Sequence, residues 1–559
     1  MLKTYTFPEF DYVRSTDQDA ADPVHHAVVI VGAGPIGMAV AIDFAQYGVN
    51  VVLLDDNNTV SVGSRAICYG KRFLDISDRL GVGQRAVDKG VTWSLGRVFF
   101  EDEEIYSFSV QPEKYHRRPG FINLQQYYLE EYMVDRIREL PEVDLRWKNK
   151  VTQVVQTDDH VCLTIDTPEG PYDLSADYLI ACDGANSTVR SLAGLGFKGH
   201  VFRDRFLIID IVMDSSPYPA ERWFWFAPSF HEGQSALLHR QADNVWRINF
   251  DLGWGADPVE EKKPENITKR VKAFLGEEVN FELEWVSVYT FTCRRMDEFS
   301  NGRIFFAGDA AHQVAPFGAR GANAGMEDAD NLVWKMKAVM DGLAPARLLG
   351  SYSEERTFAA DENILNSTRS TNFITPKNIQ NIAFRDAVLN LAIKYPFARP
   401  LVNSGRLSVP PLLTKSSLNT EDVDHFDCKI VPGAPCTDGP VLRNGQAGFM
   451  LSSLGNCFNG LLFVDGQSDL TPGVMDQLTQ LAQQKVPIKS FIVASDSMDI
   501  TLPEDIELVV DIKGIVKQRL DAQAGTFYLI RPDQLVTARM RQFDQARVMS
   551  AQSKALGNE

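Results

Sequence analysis

Three glycines and an aspartate near the N-terminus have the spacing of a dinucleotide-binding turn. Gly32, Gly34 and Gly37 form the pattern GxGxxG between an apolar run and a stretch with helical apolar spacing. Glycines permit a tight turn and let backbone N–H groups approach a diphosphate, while the dipole of the following helix favours that charge. Asp55 follows at the end of the next apolar run, where a carboxylate can accept hydrogen bonds from ribose hydroxyls. These four residues together predict a dinucleotide site.

The elements around this turn read as a strand, a helix and a second strand. The stretch AVVIVGAGPIGMAVAIDFAQYGVNVVLLDD supplies all three. Two later turns also follow strand-like runs: Asp183 and Gly184 end YLIACDG, and Gly308 and Asp309 end RIFFAGD. A helix is predicted in GANAGMEDADNLVWKMKAVM. This helix closes the first domain, so the dinucleotide domain is expected to be discontinuous in sequence.

Composition and charge exclude several kinds of partner. A chain of 559 residues is expected to hold more than one domain, and 56 basic minus 74 acidic residues give a net charge of −18. This charge disfavours nucleic acid and anionic membranes. The seven cysteines contain no CxxC pair, no metal-binding constellation is evident, and no signal peptide or membrane span is seen. We therefore expect a cytoplasmic protein without a metal.

The three ordered motifs resemble those of the single-component FAD-dependent aromatic hydroxylases, the class A flavoprotein monooxygenases. The branch that the chain resembles is that of phenol hydroxylase and 3-(3-hydroxyphenyl)propionate hydroxylase. The resemblance implies FAD as cofactor and NADPH or NADH as reductant. It assigns cofactor contacts to Gly32, Gly34, Gly37, Asp55, Arg65, Gln126, Asp183, Gly184, Gly308, Asp309, Pro316, Gly318 and Gly321.

Two of these assignments leave alternatives open. Gln125 could exchange roles with its neighbour Gln126. Many relatives read PPFGGQGMN where this chain reads APFGARGAN, so that Arg320 is one of the replaced residues. A cation there could stabilise a reduced flavin or an anionic substrate by Coulomb attraction, or it could make an ordinary phosphate or surface contact.

The fold class that follows is α/β with three parts. A discontinuous Rossmann-like FAD-binding domain is expected at residues 25–195 and 290–375. An antiparallel-sheet substrate domain is expected at 196–289, with a contribution from about 85–120. A helical linker at 376–420 precedes 421–559, which resembles the thioredoxin-like module of this branch but lacks a CxxC pair.

The implied function is hydroxylation of a phenolic aromatic substrate ortho or para to an existing hydroxyl. In this family NAD(P)H reduces FAD, and a flavin C4a-hydroperoxide formed with O2 transfers one oxygen atom. Candidate catalytic residues are His239, Tyr289, Arg320 and Tyr69. Candidate residues of the substrate pocket are Trp223, Trp225, Trp246 and Arg247. A small aromatic substrate and O2 are the expected partners, and the branch implies a homodimer.

Two alternative functions are weighed against hydroxylation. The run RWFWFAP loosely resembles the Trp-x-Trp-x-Ile-Pro signature of flavin-dependent halogenases, but Ala227 replaces the isoleucine. A non-catalytic flavoprotein would bind FAD without turnover. Retention of all three cofactor motifs argues against the second alternative.

Overall fold

The computed structural model of the protein describes residues 2–63, 65–111, 113–213, 218–231, 233–405, 407–498 and 500–558. It has a mixed α/β architecture, as predicted. In chain order the strands are β1 Val24–Val31, β2 Val51–Leu54, β3 Cys68–Gly70, β4 Val91–Trp93, β5 Leu95–Phe100, β6 Glu103–Ser109, β7 Phe121–Asn123, β8 Val143–Arg146, β9 Lys150–Gln156, β10 Val161–Asp166, β11 Tyr172–Ala181, β12 Lys198–Val212, β13 Arg222–Phe226, β14 Ser235–Arg240, β15 Val245–Gly253, β16 Glu282–Arg295, β17 Ser300–Asn301, β18 Ile304–Phe306, β19 His312–Gln313, β20 Pro440–Arg443, β21 Gln446–Phe449, β22 Phe458–Phe463, β23 Ile488–Ala494, β24 Ile506–Val510, β25 Phe527–Ile530 and β26 Val536–Met540.

Helices connect these strands. They are α1 Pro35–Gln46, α2 Lys71–Leu80, α3 Gly83–Lys89, α4 Gln126–Arg138, α5 Thr188–Leu192, α6 Pro258–Glu261, α7 Pro264–Leu275, α8 Gly321–Met340, α9 Gly350–Ile374, α10 Ile379–Lys394, α11 Met450–Ser453, α12 Pro472–Ala482, α13 Ile515–Arg519 and α14 Gln545–Ala555. Short 3-10 turns cover Thr16–Asp19, Gly308–Ala310, Ala346–Leu349, Pro396–Leu401 and Gln467–Asp469. No helix in the described ranges is both long and apolar enough to cross a membrane.

The first sheet brings the three predicted turns to one edge. Its strand order is β17-β18-β11-β1-β2-β8, and β1 pairs in parallel with both β2 and β11, while β11 pairs in parallel with β18. The carboxyl ends of β1, β11 and β18 are therefore neighbours. Helix α1 begins at Pro35, where the fixed φ of proline suits the first helical position and its missing N–H costs nothing.

The second sheet has two chemically different faces. Its order is β19-β16-β12-β15-β14-β13-β5-β6, and side chains alternate between its faces along each strand. One face packs against α7 in an apolar cluster that includes Trp225, Leu238, Trp246, Ile248, Val271 and Phe274. The opposite face carries Arg222, His239, Arg247 and Asp210 beside a second apolar cluster that includes Phe206, Phe224, Phe226 and Leu237, and we term it the polar face after its charged residues.

The third sheet lies in the C-terminal part of the chain. Its order is β21-β20-β24-β23-β22-β25-β26, with β22, β23 and β24 parallel and with β25 and β26 antiparallel to their neighbours. Helix α12 lies between β22 and β23 in the sequence, α13 lies between β24 and β25, and α14 follows β26.

The chain divides into two compact units. Unit 1 comprises 1–112, 119–327 and 360–409, and unit 2 comprises 113–118, 328–359 and 410–559. Of the segment 376–420, expected to be a helical linker, residues 376–409 cluster with unit 1 and contain α10, and residues 410–420 belong to unit 2. Unit 1 holds the first two sheets and a three-stranded sheet of order β3-β7-β4, and unit 2 holds the C-terminal sheet.

Candidate functional site

The glycine turn after β1 is tightly packed at two of its three glycines and open at the third. Gly32 has φ +102°, and a Cβ on it would lie 2.5 Å from the carbonyl oxygen of Cys182. A Cβ on Gly37 would lie 1.9 Å from the carbonyl oxygen of Gly32, whereas one on Gly34 would have no atom within 4 Å. Gly32 and Gly37 are therefore needed for packing. Gly34 leaves room for a ligand at the N-terminus of α1, as a diphosphate requires.

Asp55 lies beside this turn at the end of β2. Its Oδ2 accepts a hydrogen bond from the backbone N–H of Ala33 at 2.6 Å, and its Oδ1 accepts one from Asn57 at 2.8 Å. Burial raises the pKa of the Asp55 carboxyl, while the backbone hydrogen bonds oppose that shift. The carboxylate is thus held next to the turn, where a ribose of the cofactor would bind.

The second motif is linked to the third through Arg190. The Arg190 Nη1 donates to the carbonyl oxygen of Ala310 at 2.8 Å, and its Nη2 donates to that of Ala185 at 3.1 Å. Asp183 Oδ2 accepts from the backbone N–H of Val189 at 3.0 Å, while its buried Oδ1 has no partner in the described residues. Burial raises the pKa of the Asp183 carboxyl. An unpartnered buried oxygen at this sheet edge fits a site that a polar cofactor completes.

Asp309 lies at the N-terminus of α8. A Cβ on Gly321, the first residue of α8, would be 4.0 Å from Asp309 Oδ1. Gly308 has φ +61°, and a Cβ on it would lie 3.1 Å from Ile36 Cγ1. Helix α8 therefore begins close to the glycine turn of α1, and two helix N-termini share this edge of the sheet.

Gln126 rather than Gln125 contacts the segment that carries Arg65. Gln126 Oε1 accepts from the backbone N–H of Ala66 at 3.2 Å, and its Nε2 donates to Ser61 Oγ at 3.0 Å. Gln125 donates instead to the carbonyl oxygen of Ala242 at 3.1 Å. Arg65 is exposed. Of the two glutamines, Gln126 lies on the side of the expected cofactor.

Asn323, which the sequence analysis did not single out, joins this segment to α8. Its Oδ1 accepts from the backbone N–H of Gly70 at 2.8 Å, and its Nδ2 donates to the carbonyl oxygens of Cys68 at 3.1 Å and Ala319 at 2.5 Å. Asn323 could have been identified from the sequence as an amide side chain in the first turn of a helix that follows a glycine-rich loop.

The turn from Pro316 to Gly321 contains two residues with left-handed backbone. Gly318 has φ +96° and Ala319 has φ +56°, and the N–H of Ala319 donates to the carbonyl oxygen of Pro316 at 2.9 Å. Arg320 is buried, and its Nη1 donates to Asn363 Oδ1 at 3.0 Å. The structure thus holds the guanidinium against α9.

The polar face brings His239 and Arg247 together on neighbouring strands, where they are directly opposite. Arg247 Nε and Nη2 donate to the two oxygens of Asp210 at 2.8 and 3.0 Å, and its Nη1 donates to the carbonyl oxygen of Arg65 at 2.9 Å. His239 is 5% exposed, and its Nδ1 has no partner in the described residues. Burial, together with the charges of Arg222 and Arg247, lowers the pKa of His239 well below its usual value. A neutral imidazole with one unoccupied nitrogen therefore lies near the Arg65 segment.

Tyr69 and Tyr289 occupy different positions from His239. Tyr69 is buried, its ring packs on Phe73 with centroids 4.6 Å apart, and its hydroxyl donates to the carbonyl oxygen of Ala66 at 3.4 Å. Tyr289 is in register with Phe206, four residues along the sheet from the row that contains Arg247 and Asp210. At about 3.4 Å per residue that offset is about 13 Å. His239 and Tyr289 therefore do not act on one hydroxyl group.

The three candidate pocket tryptophans lie on the opposite face of the second sheet. Trp225 and Trp246 belong to the apolar cluster against α7, and Trp223 packs against that cluster. Strand alternation is the reason, because residues 223 and 225 point away from the side that Arg222 occupies. The structure therefore brings Arg247 to the site and not the tryptophans.

Arg222 is the second residue that the sequence analysis missed. It is 2% exposed and lies one strand beyond His239 on the polar face. Its Nη2 donates to the carbonyl oxygen of Ser404 at 2.6 Å, and its Nη1 has no partner in the described residues. The position of Arg222 at the start of β13 did not indicate a functional role, because an isolated arginine is usually exposed.

Comparisons with known proteins agree with this geometry. The family described as "FAD binding domain" matches residues 25–367. A 3-(3-hydroxy-phenyl)propionate/3-hydroxycinnamic acid hydroxylase of Mycobacterium sp. (strain JLS) is 25% identical over 540 residues, which cover 93% of this chain and 90% of the relative. A flavin-dependent monooxygenase of Mycobacteroides abscessus is 30% identical over 346 residues, 59% of this chain and 70% of the relative.

A solved structure shares the fold over most of the chain. The flavin-dependent monooxygenase PieE, crystallised with FAD and substrate, matches with a TM-score of 0.78 and 19% identity. The match covers 96% of this chain and 100% of PieE. The chain therefore shares the fold of a solved protein over nearly its whole length.

Proposed function

This chain belongs to the family of FAD-dependent aromatic hydroxylases, the class A flavoprotein monooxygenases, and we propose that it hydroxylates a phenolic ring held against the polar face of its second sheet. The family match over residues 25–367 confirms the family predicted from the three motifs. FAD, when bound and reduced by NADPH or NADH, supplies the activation of O2. The flavin-dependent halogenase and the non-catalytic flavoprotein are not favoured by these relatives.

The described residues fit FAD. Space at Gly34 and the N-terminus of α1 suit the diphosphate, and Asp55 suits the adenosine ribose. Asp183 has an unpartnered buried oxygen at the same edge, and Asp309 lies beside the N-terminus of α8. We propose these residues as the cofactor site, with Arg65 and Gln126 on the flavin side.

The unoccupied nitrogen of His239 carries the proposal for the substrate. Hydroxylation needs an electron-rich ring, which a hydrogen-bond acceptor at the ring hydroxyl promotes. His239 stays neutral because its pKa is lowered, and with its proton on Nε2 the unpartnered Nδ1 would accept a hydrogen bond from a phenol. Arg247 lies on β15, next to the strand of His239. Its hydrogen bonds to Asp210 and to the carbonyl oxygen of Arg65 hold β15 beside the segment that carries Arg65.

The relatives support a small phenolic substrate. The name of the Mycobacterium relative gives 3-(3-hydroxyphenyl)propionate and 3-hydroxycinnamic acid as its substrates. We propose a substrate of this class, hydroxylated ortho or para to its hydroxyl group. Arg320, Tyr69 and Tyr289 are not assigned to the ring hydroxyl, because they bond to or pack on other parts of unit 1.

We further propose that the C-terminal module is thioredoxin-like. Support comes from the order β26-β25-β22-β23, from the helix α12 between the two parallel strands and from the helix α14 after the two antiparallel ones. The loop after β22 reads DGQSD and offers no cysteine. Such a module would be redox-inert.

A homodimer is proposed as well. Support comes from the exposed apolar side chains on α10 and the 3-10 turn that follows it, which are Ile379, Phe384, Leu391, Tyr395 and Phe397. Large exposed apolar patches commonly mark protein interfaces. Light scattering of wild-type protein and of Phe384→Glu and Phe397→Glu tests this proposal, since a dimer through α10 should dissociate in the variants.

The function is tested by the consumption of NADH and NADPH with 3-(3-hydroxyphenyl)propionate and with a panel of neutral phenols, while product and hydrogen peroxide are both quantified. We expect product to match the reductant consumed. A variant His239→Phe should retain FAD but lose product formation by about 100-fold, within the range for a general acid–base group. Product formation unchanged in His239→Phe would remove His239 from the mechanism, and no product from any phenol would overturn the function.

A further inference from the structure

Arg222 is a buried cation without a counter-charge. Its side chain points to the polar face of the second sheet, on the same side as Phe224, whose ring centroid lies 5.3 Å from the guanidinium carbon. Among the described residues, its guanidinium donates a hydrogen bond to the carbonyl oxygen of Ser404. No described carboxylate forms an ion pair with it. By contrast, Arg247 is paired through two hydrogen bonds with Asp210.

An unpaired buried charge is costly, so the fold holds Arg222 at the expense of stability. Burial lowers the pKa of Arg222 to about 10, which leaves the guanidinium protonated at neutral pH. The groups within electrostatic range are the thiol of Cys68, the phenol of Tyr106 and the imidazole of His239. All three are uncharged at neutral pH, because burial raises the pKa of the first two and lowers that of His239.

Arg222 lies next to the turn at 316–321, in which the family resemblance assigns Pro316, Gly318 and Gly321 to the cofactor. A Cβ on Gly405 would lie 3.4 Å from Arg222 Nη2, 3.3 Å from the backbone nitrogen of Gly318 and 3.3 Å from Phe317 Cβ. Gly405 therefore lies between the Arg222 guanidinium and the turn. The backbone N–H of Ser408 donates to the carbonyl oxygen of Gly318 at 2.7 Å and fixes this loop against the turn.

We propose that Arg222 binds the carboxylate of the substrate, so that the preferred substrates are phenols that carry an acidic side chain. A carboxylate would supply the missing counter-charge and could accept hydrogen bonds from the planar guanidinium. His239 would contact the ring hydroxyl and Arg222 the acid, two contacts on neighbouring strands that orient one ring. This inference rests on the proposed function for the location of the ring.

Binding of a ligand that cannot react tests Arg222 directly. Calorimetric titrations of the FAD-loaded protein would use 3-phenylpropionate and its amide, which differ only in charge. Wild type should bind the acid ~10- to 100-fold more tightly than the amide, as expected for hydrogen bonds to a charged group. Arg222→Gln should lose this preference through weaker binding of the acid, and Arg222→Lys should retain part of it.

The control is Arg97→Gln on the adjacent strand β5, whose arginine is already paired with Glu221 and Glu104. We expect it to keep the acid preference. FAD content and the melting temperature verify folding, and if Arg222→Gln fails to load FAD, the preference of Arg222→Lys decides. An acid preference equal to that of wild type in the Arg222 variants would overturn the inference, as would an equal loss for acid and amide.

The inference and the function fail separately. Because 3-phenylpropionate has no ring hydroxyl, its binding does not depend on turnover. If it binds through Arg222 but no phenol is hydroxylated, the function is wrong and the anion site stands. If 3-(3-hydroxyphenyl)propionate is hydroxylated and its KM is unchanged in Arg222→Gln, the function stands and the anion site is wrong.

Discussion

Arg222 and Arg247 lie on the same face of one sheet, but within the part of the chain that the structure describes only Arg247 has a carboxylate partner. Asp210 accepts two hydrogen bonds from Arg247, whereas Arg222 has the carbonyl oxygen of Ser404 and a terminal nitrogen without a partner in the described residues. His239 lies within electrostatic range of both guanidinium groups. One arginine therefore serves the structure of unit 1, and the other is left for a ligand.

Removing the unpaired charge should stabilise the ligand-free protein. We expect Arg222→Met to raise the free energy of unfolding by about 1 to 3 kcal/mol, the cost of burying a polar group without full compensation. Urea denaturation of FAD-loaded wild type and variant measures this difference. A loss of stability of the same size would show that Arg222 contributes mainly to packing. Arg97→Gln, on the neighbouring strand β5 of the same sheet, should change stability by less than about 1 kcal/mol.

Two glycines of the first turn should differ in what they affect. Gly37→Ala places a Cβ 1.9 Å from the carbonyl oxygen of Gly32, so we expect a destabilisation of about 3 kcal/mol or more. Gly34→Ala meets no atom within 4 Å and should fold normally, while its affinity for FAD falls by ~10-fold or more because the methyl group occupies ligand space. Apoprotein melting and FAD titration separate the two effects. Full FAD affinity in Gly34→Ala would remove that residue from the diphosphate site.

Burial of neutral His239 makes stability depend on pH. Its pKa in the folded state is lowered from the usual 6.5, so the unfolded chain binds the proton more readily. The stability that depends on neutral His239 is fully present above pH 6.5. As the pH falls below 6.5, the free energy of unfolding decreases by up to about 1.4 kcal/mol per pH unit. We expect wild type to lose more stability than His239→Gln between pH 7.5 and pH 5.5 in urea denaturation. Parallel losses in the two proteins would contradict the assigned burial.

Glu355 in unit 2 should be essential for stability. Its fully buried carboxylate accepts hydrogen bonds from Arg531 Nη1 at 2.6 Å and from Lys335 Nζ at 2.7 Å. Replacement by Gln leaves two buried cations with one remaining carboxylate, Asp533, and should cost about 3 to 5 kcal/mol. The neighbouring Glu354→Gln is the matched control, since Glu354 bonds to Ser417 at an exposed position. Equal melting temperatures of the two variants would refute this role.

The FAD contact of Asp309 is tested by the colour of the purified protein. Asp309→Ala should lose bound FAD during gel filtration, because the carboxylate beside α8 would no longer hold the cofactor hydroxyls. The ratio of flavin to protein absorbance measures retention. A variant that elutes with a full complement of FAD would show that Asp309 does not hold the cofactor.

Local patterns in the sequence were sufficient to predict the turns that we propose as the FAD site. A glycine turn works through its own backbone and the strand and helix beside it, so Gly32, Gly34, Gly37 and the strand ends at Asp183 and Asp309 could be interpreted without knowing the rest of the fold. Helix α8 was predicted for the same reason, since its apolar spacing is local. These motifs also identified the family.

Only the tertiary structure decided which side chains of the second sheet face the site. One step along β13 separates Arg222 from Trp223, and the alternation of side chains sends them to opposite faces. The tryptophans are predicted to line the pocket only from their position in the antiparallel-sheet segment, but α7 covers their face. Arg222 was overlooked because nothing in the chain around it reveals burial or the absence of a carboxylate, which both depend on residues distant in sequence. Pairing between strands, not residue type, made Arg222 and His239 neighbours.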